Sequence, residues 1–121
     1  MELRELVKRW FKAWEEGDFY NLPITENFSH TSPYGTIDGK KAYTDLVAVN
    51  RDKFLGHRFE LHDEIYDEDR ACVRYTAVQG DFKLEVSEWY FPKDGLIEQI
   101  VAYYNIEGEI SDERKLKDLN D

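Results

Sequence analysis

Residues 57–105, HRFELHDEIYDEDRACVRYTAVQGDFKLEVSEWYFPKDGLIEQIVAYYN, carry the plainest pattern in the chain: apolar side chains recur at every second position. Phe59, Leu61 and Ile65 begin the alternation, and Ala71 to Gln79, Phe82 to Phe91 and Leu96 to Asn105 continue it. Successive side chains of a strand point to opposite faces, so the period of two predicts four strands. Asp67-Glu68-Asp69-Arg70, Gln79-Gly80-Asp81 and Pro92-Lys93-Asp94-Gly95 supply turn-forming residues between them, which predicts consecutive antiparallel hairpins.

Upstream the period is helical. Leu3, Leu6, Val7, Trp10, Phe11 and Trp14 form one apolar stripe, with charged residues filling the other face, and Gly17 supplies the left-handed stop. Asp18 is placed to cap a short second turn over Phe19 to Leu22, which Pro23 ends. A short strand is predicted over Phe28 to Ser32, closed by the turn Ser32-Pro33-Tyr34-Gly35. A further helix is expected from an N-cap at Asp38, with Ala42, Tyr43, Leu46, Val47 and Phe54 on its apolar face and a stop at Gly56. The order is ααβαββββ, an α+β fold. Ser111-Asp112-Glu113 then signals a short helix or frayed tail over 111–121, following a single domain over 1–110.

Composition narrows the function. At 121 residues, 41% hydrophobic and 15% aromatic, the chain has material for one core and no second domain. A formal charge of −10 repels phosphate backbones and anionic lipid surfaces, so neither nucleic acid nor a membrane is an expected partner. Charges throughout the first ten residues and the lack of any long apolar run point to a cytoplasmic location. Cys72 is the sole cysteine, read as a small buried hydrophobe of a strand. His57 and His62 lie five apart, on opposite faces of a strand, so no metal site and no cofactor are expected.

The element order, the helix junction Glu16-Gly17-Asp18-Phe19, the turn Ser32-Pro33-Tyr34-Gly35 before Gly39, and Lys93-Asp94-Gly95-Leu96-Ile97 together resemble the nuclear transport factor 2-like superfamily over about residues 3 to 105. The similarity is greatest to its SnoaL-like polyketide cyclase and ketosteroid isomerase branches. It implies a cone-like, curved antiparallel sheet packed around the N-terminal helices, with a small-molecule pocket lined by a few polar side chains. Carried over residue by residue, the isomerases' oxyanion-stabilising Tyr falls on Trp10 and their general-base Asp on Ser32. Their third acid falls on Ser87 or Glu88. Phe82, Leu84 and Val86 share a parity with Glu88, which favours Glu88 as the inward residue. The cyclases' acid/base Asp near the end of the last strand falls on Asn105. Neither activity transfers onto this residue set.

His30 lies two residues before Ser32, so both side chains point one way, which the resemblance makes inward. An imidazole suits proton abstraction near neutral pH, and a carboxyl in an apolar wall can stay protonated as an acid. His30 and Glu88 are therefore the candidate catalytic pair, and Trp10, Trp14, Ser32, Tyr43, Asn50, Tyr104 and Asn105 the candidate ligand contacts. The alternative places Glu88 on the outer sheet face, paired with Arg58 or Arg74. Three functions compete: cofactor-independent proton transfer on a small apolar carbonyl compound, as an isomerase, cyclase or dehydratase; non-catalytic binding of a small apolar or amphipathic molecule; and an interaction module. Trp89 and Phe91 have the parity opposite to Glu88 and predict an outer aromatic face, suited to a homodimer or to cover by the C-terminal segment.

Overall fold

The structure, a computed structural model, describes residues 2–105. Helix α1 (Leu3–Glu16) is followed by a 3₁₀ turn (Phe19–Asn21), strands β1 (Ile24–Ser32) and β2 (Gly35–Asp38), helices α2 (Lys40–Val49) and α3 (Arg51–Phe54), and strands β3 (Arg58–Tyr66), β4 (Ala71–Gln79), β5 (Phe82–Lys93) and β6 (Leu96–Tyr104). One six-stranded sheet has the order β2-β1-β6-β5-β4-β3. The last four strands pair antiparallel, as their alternation predicts. β1 joins β6 in parallel, which makes the sheet mixed.

Three local expectations are revised. Gly35–Asp38 pairs back on β1 as a short strand, so Asp38 ends a strand and Gly39 holds the cap position of α2. The expected single helix from Asp38 to Gly56 is divided at Asn50. β1 begins at Ile24, and its register against β6 shifts between Ile24 and Ser29, so the strand is irregular over that stretch. The expected helix or tail over 111–121, and the domain boundary at 110, lie outside the described residues.

The apolar stripe of α1 lies on the inner sheet face. Leu6, Val7, Trp10, Phe11 and Trp14 are buried against a core that includes Phe28, Val73, Tyr75, Tyr90, Ile97 and Ile100. Gly17 ends α1 at φ +74°, with its N–H on the Trp14 carbonyl, and a Cβ there would stand 2.8 Å from Leu55 Cδ2. The left-handed backbone favours glycine, and any side chain there would also have to push the end of Leu55 aside. Asp94 and Gly95, both at positive φ, form the tight hairpin that sets β5 against β6.

The outer face is crossed by one register-aligned row: Thr36 of β2, Thr31 of β1, Val101 of β6, Trp89 of β5, Cys72 of β4 and Ile65 of β3. Trp89 is half-buried and Ile65 is 70% exposed. Cys72 points outward in this row and is half-buried, so it is not the core residue its neighbours suggested.

Candidate functional site

Glu88 faces inward and is only 4% exposed. Its parity follows from the β4–β5 register, which sets Val73 opposite Glu88 and Val86 opposite Tyr75. One carboxylate oxygen accepts from the Tyr75 hydroxyl at 3.1 Å and the other from the Tyr90 hydroxyl at 2.5 Å. The Trp10 indole N–H adds a third donor. Burial outweighs these donors, and the Glu88 pKa is raised to about 7. The outer-face alternative fails: Arg74 binds Asp63 at 2.6 Å and Arg58 binds Glu60 at 3.1 Å.

His30 lies on β1 opposite Ile100, and Ile100 lies opposite Tyr90. Its half-buried ring stacks on Tyr43 of α2, with centroids 5.2 Å apart and planes 30° apart. Desolvation lowers its pKa from the ordinary 6.5 to about 4, so the imidazole is neutral at physiological pH. The Tyr43 phenol is buried and shifted upward, first by desolvation and then by the Glu88 charge. His30 and Glu88 share the inner face but stand on strands separated by β6, about 10 Å apart across the sheet. They make no direct pair.

The other candidates separate into distinct settings. Ser32 accepts from the Tyr34 N–H at 3.2 Å and hydrogen-bonds Tyr104, whose half-buried phenol is raised to about 12, mainly by burial. Tyr104 also feels the Glu88 charge. Trp14 is buried, and its indole N–H finds no acceptor. Asn50 donates its amide to the Leu46 carbonyl at 2.9 Å, so it serves the end of α2. Asn105 is exposed just beyond β6. Between α1 and the sheet, rings fill the inner face: Trp10 against Phe28 and Tyr43, and Phe11 against Tyr75 and Tyr90.

A groove of about 420 Å³ opens at the end of β6, lined by Pro33, Val86, Tyr104 and Asn105 together with outer-face residues. It arises because β6 stops at Tyr104, opposite Val86, while the β4–β5 hairpin runs on to Gln79 and Phe82. Tyr104 lines this groove and, opposite the buried Val86, lies on the inner face of the sheet. Tyr75 and Tyr90, the partners of Glu88, are not among the residues that the sequence singles out. Counting back through the Gly80 turn places Val73 opposite Glu88, which brings Tyr75 within diagonal reach.

A family model described as a SnoaL-like domain matches residues 7–100. Among solved structures, the chain is similar to an NTF2-like protein of unknown function from Cytophaga hutchinsonii, with 20% identity over 84% of this chain and 88% of that one and a TM-score of 0.71. A protein from Kribbella flavida provisionally named a ketosteroid isomerase shares 17% identity over 88% and 80% of the two chains, with a TM-score of 0.72. A SnoaL-like protein of unknown function from Burkholderia thailandensis shares 17% over 85% and 94%, with a TM-score of 0.66. The fold is that of the nuclear transport factor 2-like proteins. No protein of curated function matches the sequence.

Proposed function

We propose that this chain, which belongs to the SnoaL-like domain family, binds a small, largely apolar carbonyl compound at the end of its cone where His30, Tyr43 and Tyr104 converge. The observation that carries this reading is the His30–Tyr43 stack: a neutral imidazole on a phenol, on the strand that leads to the groove. The buried Trp14 indole N–H, on a ring that stands edge-on to Tyr43, has no acceptor among the described residues, and an oxygen-bearing ligand supplies one. Ligand entry breaks the Tyr104–Ser32 bond and moves the Tyr104 ring off the inner face.

Proton transfer is the second reading, favoured by the stacking of an unprotonated imidazole on a phenol, although desolvation also makes His30 a weaker base than a free imidazole. An imidazole with a pKa of about 4 has the basicity of a carboxylate and is unprotonated at pH 7. His30 takes the proton α to the carbonyl, and the Tyr43 hydroxyl donates to the oxygen that gains charge. Glu88 is then a positioning residue: its oxygens are engaged by Tyr75, Tyr90 and Trp10, and when ionised it makes the Tyr43 hydroxyl a poorer donor. Acetophenone is the probe. Saturable shifts of the His30 ring protons and the Trp14 indole N–H support binding, and deuterium uptake at its methyl carbon in D₂O, lost in His30→Gln, supports catalysis. Binding without exchange identifies a carrier; shifts confined to Trp89 on the outer face refute the site.

The outer row through Val101, Trp89 and Ile65 is assigned to a second copy of the chain. Its alignment across six strands makes a continuous, weakly charged band on a chain of net charge −10. A monomeric mass by light scattering at micromolar concentration excludes the dimer.

A further inference from the structure

The end groove has an outer half that the carbonyl site leaves unused. Four residues lie side by side across β3 to β6: Asp63 opposite Arg74, Arg74 opposite Ser87, and Ser87 opposite Tyr103. Arg74, Ser87 and Tyr103 all line the groove. Asp63 takes the Arg74 Nε–H at 2.6 Å. A guanidinium is planar and carries five N–H donors, so holding Nε fixes the plane and leaves the terminal N–H groups for another acceptor. The Tyr103 ring is 61% exposed. Ser87 supplies a hydroxyl midway between the cation and the ring.

We propose that this row is a carboxylate subsite, in which Arg74, oriented by Asp63, and the Ser87 hydroxyl receive the acid group of a small planar acid whose ring lies against Tyr103. The proposal rests on the small-molecule reading above and narrows its ligand to a carbonyl compound with an anionic end. Charge selects it. Glu85 lines the same groove and repels an anion that is not held at Arg74, so the acid group has one favourable position. A cation would meet Glu85 but also the Arg74 guanidinium, and a neutral ligand would leave the terminal N–H groups of Arg74 to water.

Benzoate tests this against benzamide, its uncharged counterpart of the same shape, each titrated into the full chain and followed by amide and Arg74 Nε–H resonances. Benzoate is expected to bind saturably, with shifts at Arg74, Ser87 and Tyr103, at least about tenfold tighter than benzamide, and more weakly as salt is raised. Arg74→Gln should lose about tenfold or more in benzoate affinity. Arg74→Lys, which keeps the charge but not the fork, should lose a smaller factor, and Ser87→Ala about two- to fivefold. Equal binding of benzoate and benzamide, or wild-type benzoate affinity in both Arg74 variants, overturns the subsite. Acetophenone binding at His30 with no benzoate response at Arg74 overturns the subsite alone. Failure of acetophenone with the benzoate response intact removes the inner site and leaves the groove as an independent acid site.

Discussion

Replacing Glu88 by Gln and His30 by Gln, one at a time, should tilt the pH dependence of stability in opposite directions. Glu88 has a folded pKa of about 7 against an ordinary 4.5. Between those values the folded chain holds a proton that the unfolded chain has released. Stability from this group is complete below pH 4.5 and is lost as pH rises through 7, with a slope of at most about 1.4 kcal/mol per pH unit. His30 has a folded pKa of about 4 against 6.5. Here the unfolded chain holds the extra proton, so the contribution is complete above pH 6.5 and is lost, with a similar limiting slope, as pH falls through 4. From pH 4.5 to 6.5 the two slopes cancel, and the wild-type curve should be nearly flat.

Urea titrations at pH 4.5, 5.5, 6.5 and 7.5 read the effect as shifts in midpoint. Glu88→Gln should cost most at pH 4.5, and its deficit should shrink by up to about 3 kcal/mol on reaching pH 7. His30→Gln should cost most at pH 7.5 and least near pH 4.5. The result turns on a balance at Glu88. Hydrogen bonds to an ionised group contribute about 1.5–3 kcal/mol each, while burying the charge costs several kcal/mol. A Glu88→Gln deficit that stays level or grows with pH would show that Tyr75, Tyr90 and Trp10 hold the carboxylate ionised, and would refute the raised pKa.

Three further outcomes follow from the packing. Glu88→Leu leaves the Tyr75, Tyr90 and Trp10 donors buried without their acceptor and should cost about 2–4 kcal/mol at pH 7, whereas Tyr90→Phe, which removes one donor, should cost about 1–2 kcal/mol in the same urea assay. Gly17→Ala forces a side chain into left-handed backbone and against Leu55, and should cost about 1–2 kcal/mol, read as a drop of several degrees in Tm. Tyr104→Phe breaks only the bond to Ser32 and should raise acrylamide quenching of buried Trp fluorescence less than Tyr104→Ala, which also removes the ring beside the groove; equal quenching in both would show that the ring does not close the inner face.

The strands of residues 58–104 were legible because one buried face imposes alternation and each hairpin turn has its own chemistry. β2 was not, since four residues carry too little periodicity and Gly35 to Asp38 become a strand only by pairing with β1. The parallel β1–β6 contact joins elements about 70 residues apart, which no local pattern encodes. The inward parity of Glu88 was readable from Phe82, Leu84 and Val86. Its neutralising company was not: Tyr75 and Tyr90 look like ordinary core aromatics until strand register brings both hydroxyls to one carboxyl. Asn50 misled for a related reason. It falls on the apolar stripe, but the helix breaks there and its amide is consumed by the Leu46 carbonyl.

The acid and base singled out by residue type thus share a face without sharing a bond, and their environments shift them toward a common end. Desolvation keeps His30 unprotonated down to about pH 4 and Glu88 protonated up to about pH 7, so over that interval the inner wall carries little net charge. Such a wall accepts an uncharged carbonyl and rejects an ion. Above pH 7 the buried Glu88 charge opposes any anion that forms near Tyr43, so enolate formation at His30 should be fastest where Glu88 is still protonated and should decline as pH rises through 7. A deuterium-exchange rate in acetophenone that climbs steadily from pH 6 to 9 would instead assign the exchange to hydroxide and remove His30 from the reaction.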